Sequence, residues 1–236
     1  LSLAESIDQI IVATTTNRRD DLLVDFVRSL SVEVFRGDED DVLGRTLGAL
    51  QYMNADIGVE IFGDCPLIDP DYINEGIDLL KQSQADYVYV DQSKYECLHE
   101  GIGIHTQKTW VKLDELSSTW YHREHPGSVL KENKELFNGV EIIPHKNFQR
   151  NDFRMSVDTK SDLFFMNQLY ERLYTENEVS NLHKVVRLID EKPWLKITNS
   201  HVHQKTITEK SNVFLFITHA SKKLGMGHLS RSLALT

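Results

Sequence analysis

Short apolar runs alternate with helical periodicity along the first part of the chain. The apolar runs predict strands at residues 7–15, 31–35, 55–62 and 85–90. Between them, apolar residues three and four positions apart predict helices at residues 20–30, 40–53 and 72–82. Residues 10–13 are apolar throughout and are expected to form a buried strand centre. This alternation is typical of an α/β fold in which helices cover both faces of a mostly parallel sheet.

The alternation loosens after Val90. Further strands are predicted at residues 101–105, 140–144 and 153–157, and helices at 108–116, 126–136, 161–174 and 178–191. A polar stretch at 201–210 then predicts a linker, and the apolar run 213–217 leads into a glycine-containing turn and a helix. We therefore predict one domain over residues 1–200, a linker over 201–210 and the start of a second domain over 211–236.

Composition narrows the class of protein. The 236 residues are 40% hydrophobic, which suffices for a packed core. The net charge of −10 argues against nonspecific binding to nucleic acid or to an anionic membrane surface. No apolar run approaches the roughly 20 residues of a membrane span. Cys65 and Cys97 form no disulfide framework or zinc motif, so we expect a reduced, cytoplasmic protein.

Two carboxylates stand where predicted strands end. The run 57–62 stops at Gly63 and Asp64, and Pro66 cannot extend it. Asp158 follows the predicted strand 153–157 and precedes a helix. Open α/β sheets bind ligands at the carboxyl ends of their strands, and Mg²⁺ prefers carboxylate oxygens. The alternatives are that Asp64 only shapes a turn and that Asp158 is a helix N-cap.

Residues 63–70, Gly-Asp-Cys-Pro-Leu-Ile-Asp-Pro, resemble the signature of SpsF-type cytidylyltransferases, relatives of the CMP-Kdo and CMP-acylneuraminate synthetases. The resemblance extends over residues 6–199 and includes 12–15, 35–43, 123–125 and 157–159. It implies a Rossmann-like nucleotidyltransferase fold of the GT-A class. The implied reaction is transfer of CMP from CTP to a sugar with release of pyrophosphate, with Mg²⁺ held by Asp64 and Asp158.

The resemblance also implies roles for residues on other loops. It places Thr14, Thr15, Arg36 and Asp40 near the bound nucleotide. The alternative for Thr14 and Thr15 is that they are ordinary β-branched residues of a strand. The alternative for Arg36 and Asp40 is that they belong to a strand-to-helix loop, in which acidic residues interact favourably with the helix dipole.

Residues 123–125, Arg-Glu-His, match a further family segment. Arg123 would contact a phosphate or a sugar carboxylate through its forked guanidinium. His125 would donate a hydrogen bond to the acceptor, and both are candidate catalytic residues. The alternative is a solvated helix start.

The family's first strand and its glycine-rich phosphate loop have no counterpart here. We therefore expect a fragment whose N-terminal strand and loop are missing, with little activity by itself. Residues 225–235 resemble the opening of PseG-type UDP-sugar hydrolases of the GT-B-like class, which implies a fused second domain with a catalytic His228. Together the two resemblances suggest a pathway for nonulosonic acids or related surface sugars.

Two other functions stay open. A glycosyltransferase on the same architecture would need an Asp-x-Asp metal motif, and Asp38-Glu39-Asp40 is the near match beside a strand. A nucleotide-sugar binding remnant without catalysis is the second. Such relatives pair through an antiparallel extension that would lie within residues 91–150, which implies a homodimer.

Overall fold

The computed structural model describes residues 1–99, 101–174 and 181–202. The strands in this part are β1 (Ile11–Thr15), β2 (Glu33–Gly37), β3 (Ile57–Ile61), β4 (Tyr87–Tyr89), β5 (Ile102–Thr106) and β6 (Gly139–Glu141). The α-helices are α1 (Asp21–Ser29), α2 (Val42–Tyr52), α3 (Pro70–Ser83), α4 (Gln107–Leu116), α5 (Trp120–Glu124), α6 (Pro126–Glu132), α7 (Lys160–Leu173) and α8 (Leu182–Glu191). His228, most of the predicted linker and the predicted second domain lie outside the described residues.

The described strands form two sheets. β1 and β2 pair in parallel, with Ile11 opposite Glu33 and Thr15 opposite Gly37. The second sheet has the order β3-β5-β4-β6, and β5 runs antiparallel to both of its neighbours. β4 and β6 are parallel, so β3, β4 and β6 share one direction. The predicted α/β fold with a mostly parallel sheet is therefore confirmed.

Helices cover both faces of the larger sheet because side chains alternate along its strands. Val88 of β4 packs into an apolar core with Ile77 of α3, whereas its neighbour Tyr87 packs with Leu47 of α2 and Trp110 of α4 on the other face. A third apolar core joins α7 and α8. No described helix has both the length and the hydropathy that a membrane span requires.

Two expectations are wrong. Ile11 and Val12 are only half-buried and Ala13 is exposed, because β1 has β2 on one edge and no described strand on the other. Residues 153–157 form no strand. Phe153 and Met155 are buried in the core beneath α7, so an extended loop packed on that core produces the alternating pattern of a strand.

Candidate active site

Asp64 lies in the turn that follows β3. The N–H of Cys65 donates to the carbonyl of Phe62 at 3.0 Å, which closes the turn. Asp69 then caps α3, since its carboxylate accepts from the N–H of Asp71 at 3.2 Å and Pro70 occupies the first helical turn. The structure thus places a partly exposed Asp64 at the carboxyl end of a strand, as the sequence pattern predicts.

Asp158 lies on the loop beside this turn. The N–H of Val157 donates to the carbonyl of Asp64 at 2.8 Å, so the two backbone segments are adjacent. Thr159, and not Asp158, is the N-cap of α7, where Thr159 and Asp162 form a reciprocal capping box. The Asp158 side chain is 43% exposed. Its position is therefore that of a candidate ligand rather than of a helix cap.

Arg154 supplies a positive charge to this loop. Its guanidinium pairs with Asp158, and its Nε lies 3.5 Å from Oδ1 of Asp162. Asp162 also accepts a hydrogen bond from Asn199 at 2.9 Å. Burial opposes ionisation of Asp162, but the hydrogen bonds from Asn199 and Thr159 outweigh burial and hold its pKa below the ordinary value. Asp162 is therefore a charged, structural carboxylate.

The chemistry of Asp64 and Asp158 suits Mg²⁺. In the described part of the chain, no three His, Cys, Asp or Glu side chains converge as ligands for one metal ion. Mg²⁺ commonly takes one or two carboxylates and completes its octahedron with substrate phosphates and water. One or two carboxylates on adjoining backbone segments are enough for that kind of site, so these residues fit the implied ion.

The end of β1 is organised around Asp20. Its Oδ2 accepts from Oγ1 of Thr15 at 2.6 Å, from Oγ1 of Thr14 at 2.8 Å and from the N–H of Thr15 at 3.1 Å. These bonds, that from the Thr15 hydroxyl foremost, lower the pKa of Asp20. Both threonine hydroxyls are thus donors to a carboxylate that the sequence reasoning missed. An acidic residue shortly after a strand-ending Thr-Thr pair was its only signal.

Arg36 ties the ends of β1 and β2 together. Its guanidinium donates to the carbonyls of Thr15 and Asn17 and to a carboxylate oxygen of Asp21, each at 2.8 Å. The structure therefore brings the predicted nucleotide-side residues Thr14, Thr15 and Arg36 into one group of loops.

The acidic loop after β2 is held by its own contacts. Oδ1 of Asp38 accepts from the N–H of Asp40 at 2.8 Å and of Asp41 at 3.2 Å. Glu39 forms an ion pair with Arg19, and the Asp40 side chain is exposed. The carboxylates of Asp38 and Glu39 thus serve the loop itself, which weighs against an Asp-x-Asp metal motif here.

Arg123 lies on α5, a helix that the sequence pattern did not predict. Its guanidinium donates two hydrogen bonds to the carboxylate of Asp41, and the bond from Nε is 2.7 Å long. The guanidinium also forms an ion pair with Asp114. Asp41 in turn caps α2 by accepting from the N–H of Gly44 at 2.8 Å. Arg123 therefore joins α5, α4 and α2, and these contacts give it a structural role in this arrangement.

His125 separates α5 from α6 and is exposed. Its ring meets Tyr121 edge to face, with 4.6 Å between the ring centres. The predicted site residues thus fall into three groups, each with its own contacts. One is Asp64 with Asp158, the second is the loops around Asp20, and the third is the region of α5.

Two known proteins are similar to this chain over most of its length. The chain is 32% identical to an uncharacterized protein of Methanocaldococcus jannaschii over an alignment of 215 residues. This alignment covers 89% of this chain and 84% of that protein. It is 22% identical over 186 residues to the spore coat polysaccharide biosynthesis protein SpsF of Bacillus subtilis, covering 79% of this chain and 76% of SpsF.

Solved structures agree with the fold. A cytidylyltransferase from Leptospira borgpetersenii superimposes with a TM-score of 0.74 at 27% identity, covering 83% of this chain and 82% of that one. A CMP:2-keto-3-deoxy-manno-octonic acid synthetase complexed with CTP shares the fold at 14% identity, with a TM-score of 0.52 and coverage of 72% and 84%. The family model for cytidylyltransferases matches residues 1–188. Since that match includes most of the sequence, this chain belongs to the cytidylyltransferase family.

Proposed function

We propose that the protein transfers CMP from CTP to an oxygen of a sugar, and that this sugar is a nonulosonic acid or a related surface-polysaccharide sugar. The observation that carries the proposal is the backbone hydrogen bond from Val157 to Asp64, because it joins the turn of Asp64 to the segment that immediately precedes Asp158. Membership of the cytidylyltransferase family supports CMP as the group that is transferred. The names of two relatives, one for spore coat polysaccharide and one for a keto-deoxy sugar acid, support a sugar as the acceptor.

In this reaction a sugar oxygen attacks the α-phosphorus of CTP and forms a new P–O bond. The bond from the α-phosphorus to the bridging oxygen breaks, and pyrophosphate leaves. Mg²⁺ bound at Asp64 and Asp158 would offset the charge of the phosphates and align the attacking and leaving oxygens. Thr14, Thr15 and Arg36 shape the proposed nucleotide side.

His125 is proposed to face the acceptor and to donate a hydrogen bond to it. Arg123 acts as a positioning residue for α5, because Asp41 and Asp114 already occupy its guanidinium. A homodimer formed through residues 91–150 belongs to the same proposal, and sedimentation of the purified protein tests it.

The first test measures Mg²⁺-dependent pyrophosphate release by the full-length protein, with CTP or another nucleoside triphosphate and a panel of sugar acids and amino sugars. We expect release with CTP and a sugar acid, and a loss of roughly 100-fold or more in Asp64→Asn and in Asp158→Asn. Asp25→Asn, an exposed acid on α1, is the matched control and should keep full activity.

Full activity of Asp64→Asn, or equal turnover with every nucleotide, would contradict the proposal. CTP binding without turnover would identify the protein as a binding remnant.

A further inference from the structure

Arg154 carries a positive charge that is largely shielded from solvent beside the candidate metal ligands. The side chain is 15% exposed, and its guanidinium pairs with the more exposed carboxylate of Asp158. On the other side, Nε lies 3.5 Å from Oδ1 of Asp162. Nε and Nη2 are buried, and neither makes a hydrogen bond of normal geometry within the described residues. Charge therefore holds the guanidinium between two carboxylates, and its N–H groups keep donor capacity for a further acceptor.

Asp162 has other partners than Arg154. Its Oδ2 accepts from the N–H and the hydroxyl of Thr159 at 2.9 and 2.8 Å, and from the N–H of Asp158 at 3.2 Å. Its Oδ1 accepts from Nδ2 of Asn199 at 2.9 Å, and the same amide donates to the carbonyl of Arg154 at 3.3 Å. These bonds hold the loop in place without the guanidinium, so Arg154 can change its partner while the backbone stays where it is.

The charges in this region make the partner of Arg154 depend on a bound metal ion. Asp64, Asp158 and Asp162 contribute carboxylates, and Arg154 contributes a guanidinium. A divalent cation bound to Asp158 would offset the charge of this carboxylate and weaken its attraction for the guanidinium. Arg154 would then carry a positive charge that its present partner no longer balances.

The geometry of a magnesium site indicates the new partner. Mg²⁺ holds its ligands in an octahedron at about 2.0–2.1 Å and commonly takes carboxylates together with substrate phosphates. Neighbouring ligands of one such ion are therefore about 3 Å apart. A guanidinium that contacts Asp158 is thus within reach of a phosphate oxygen bound to the same ion. The planar fork of arginine also matches the geometry of a phosphate group.

We propose that Arg154 changes partner as the site fills: it pairs with Asp158 before a divalent cation binds, and afterwards it donates to a metal-bound phosphate of the nucleotide. This inference rests on the proposed function, because the phosphate is that of CTP. Arg154 then has two opposite effects. It opposes the binding of the metal ion alone, and it favours the binding of CTP together with the metal ion. A residue that only supports the fold would not produce effects of opposite sign.

Titration calorimetry of Arg154→Gln, with CTP and no acceptor, tests the change of partner. At saturating Mn²⁺ we expect the Kd for CTP to rise at least about tenfold, because a charge-assisted bond to phosphate is lost. Mn²⁺ titrated without nucleotide should bind at least as tightly as it does to the unsubstituted protein. Arg150→Gln is the matched control, since Arg150 is also mostly buried but pairs with Asp152 and Asp190, and it should change neither Kd.

Arg154→Lys separates the charge from the fork of the guanidinium. Lysine keeps the positive charge but cannot form the two parallel hydrogen bonds of arginine. We expect the Kd for Mn²⁺ alone to stay within about twofold and the Kd for CTP at saturating Mn²⁺ to rise at least about threefold. Urea unfolding of each variant shows whether the protein is still folded, and Arg154→Lys provides the test if Arg154→Gln is not.

An unchanged Kd for CTP at saturating Mn²⁺ in both variants would overturn the proposal and leave Arg154 as a counter-ion of Asp158. Weaker binding of Mn²⁺ alone together with weaker binding of CTP would overturn it in favour of a structural role. A loss of affinity for a sugar acid, with CTP affinity unchanged, would assign the guanidinium to the acceptor instead. Absence of CTP binding by the unsubstituted protein would contradict the proposed function as well, which distinguishes the two failures.

Discussion

Arg154 contacts one exposed and one buried carboxylate. Asp162, which is 1% exposed, has Asn199 and Thr159 as further partners, whereas Asp158 is 43% exposed. The pair of Arg154 with Asp158 therefore competes with any cation that Asp158 binds. At the scale of single residues, this charge balance should set the affinity of the metal site.

Replacing Arg154 with Gln should tighten the binding of Mn²⁺, used as the probe ion without nucleotide. Because Asp158 is 43% exposed and water screens its pairing with the mostly buried Arg154, the ion pair is worth about 1 kcal/mol, and we expect the Kd to fall by up to about fivefold. Titration calorimetry measures the change. Arg150→Gln is the control, since Arg150 pairs with Asp152 and Asp190 instead. Weaker binding by Arg154→Gln would show that Arg154 orients Asp158 rather than competing for it.

At the scale of elements, the close approach of α3 to β5 depends on a glycine. A Cβ added to Gly76 would lie 2.4 Å from Cδ1 of Ile104, a side chain that is 2% exposed. A Cβ added to Gly127 at the start of α6 would meet no atom within 4 Å. Comparing alanine substitutions at Gly76 and Gly127 therefore distinguishes the effect of close packing from the general preference of helices for alanine over glycine.

Gly76→Ala should lower the free energy of unfolding by about 1 to 3 kcal/mol, because the added methyl overpacks the interface with β5. Gly127→Ala should leave it unchanged or raise it by less than about 1 kcal/mol, since alanine loses less backbone entropy than glycine. Urea unfolding of both variants checks the pair. Equal effects of the two substitutions would show that Ile104 gives way and that α3 is not held at this contact.

At the scale of the whole molecule, buried titratable groups have opposite effects on how the stability of the fold changes with pH. Burial raises the pKa of Glu60 to about 7 and lowers the pKa values of His99 and His105 to about 4. Between about pH 4.5 and 7 the folded protein keeps a proton on Glu60 that the unfolded chain releases, so this group removes stability as the pH rises. Each histidine acts in the other direction, because only the unfolded chain takes up its proton between about pH 6.5 and 4.

Two histidines outweigh one glutamate, so the unfolding free energy should rise by about 1 kcal/mol per pH unit between about pH 5 and 6. The curve should level off near pH 7, where the loss of protons from the unfolded histidines and from folded Glu60 balance. In Glu60→Gln the opposing contribution is absent, so the rise between pH 5 and 6 should be about twice as steep. Urea unfolding at each pH measures the curve, with the exposed Glu124→Gln as the control. An equal slope in Glu60→Gln and in the unsubstituted protein would contradict the assignment.

Much of the fold followed from local pattern. The alternation of apolar runs and helical periodicity predicted β1 to α3 in order, and it placed Asp64 directly after β3. Strand and helix signals depend on neighbours within a few positions, so one sequence contains them. The motif around Asp64 is equally local, which is why it indicated the cytidylyltransferase family before any contact was known.

Contacts between distant residues were decided only by the tertiary structure. The N–H of Val157, next to Asp158 in the chain, donates a hydrogen bond to the carbonyl of Asp64, although the two positions are far apart in the sequence. Arg123 binds Asp41 across a similar separation. The apolar residues of β1 carry the pattern of a buried strand, yet they border an open groove because burial depends on which strand lies alongside. The sequence by itself thus determined the elements and the family, whereas the pairing of charges and the free strand edges depended on how those elements pack together.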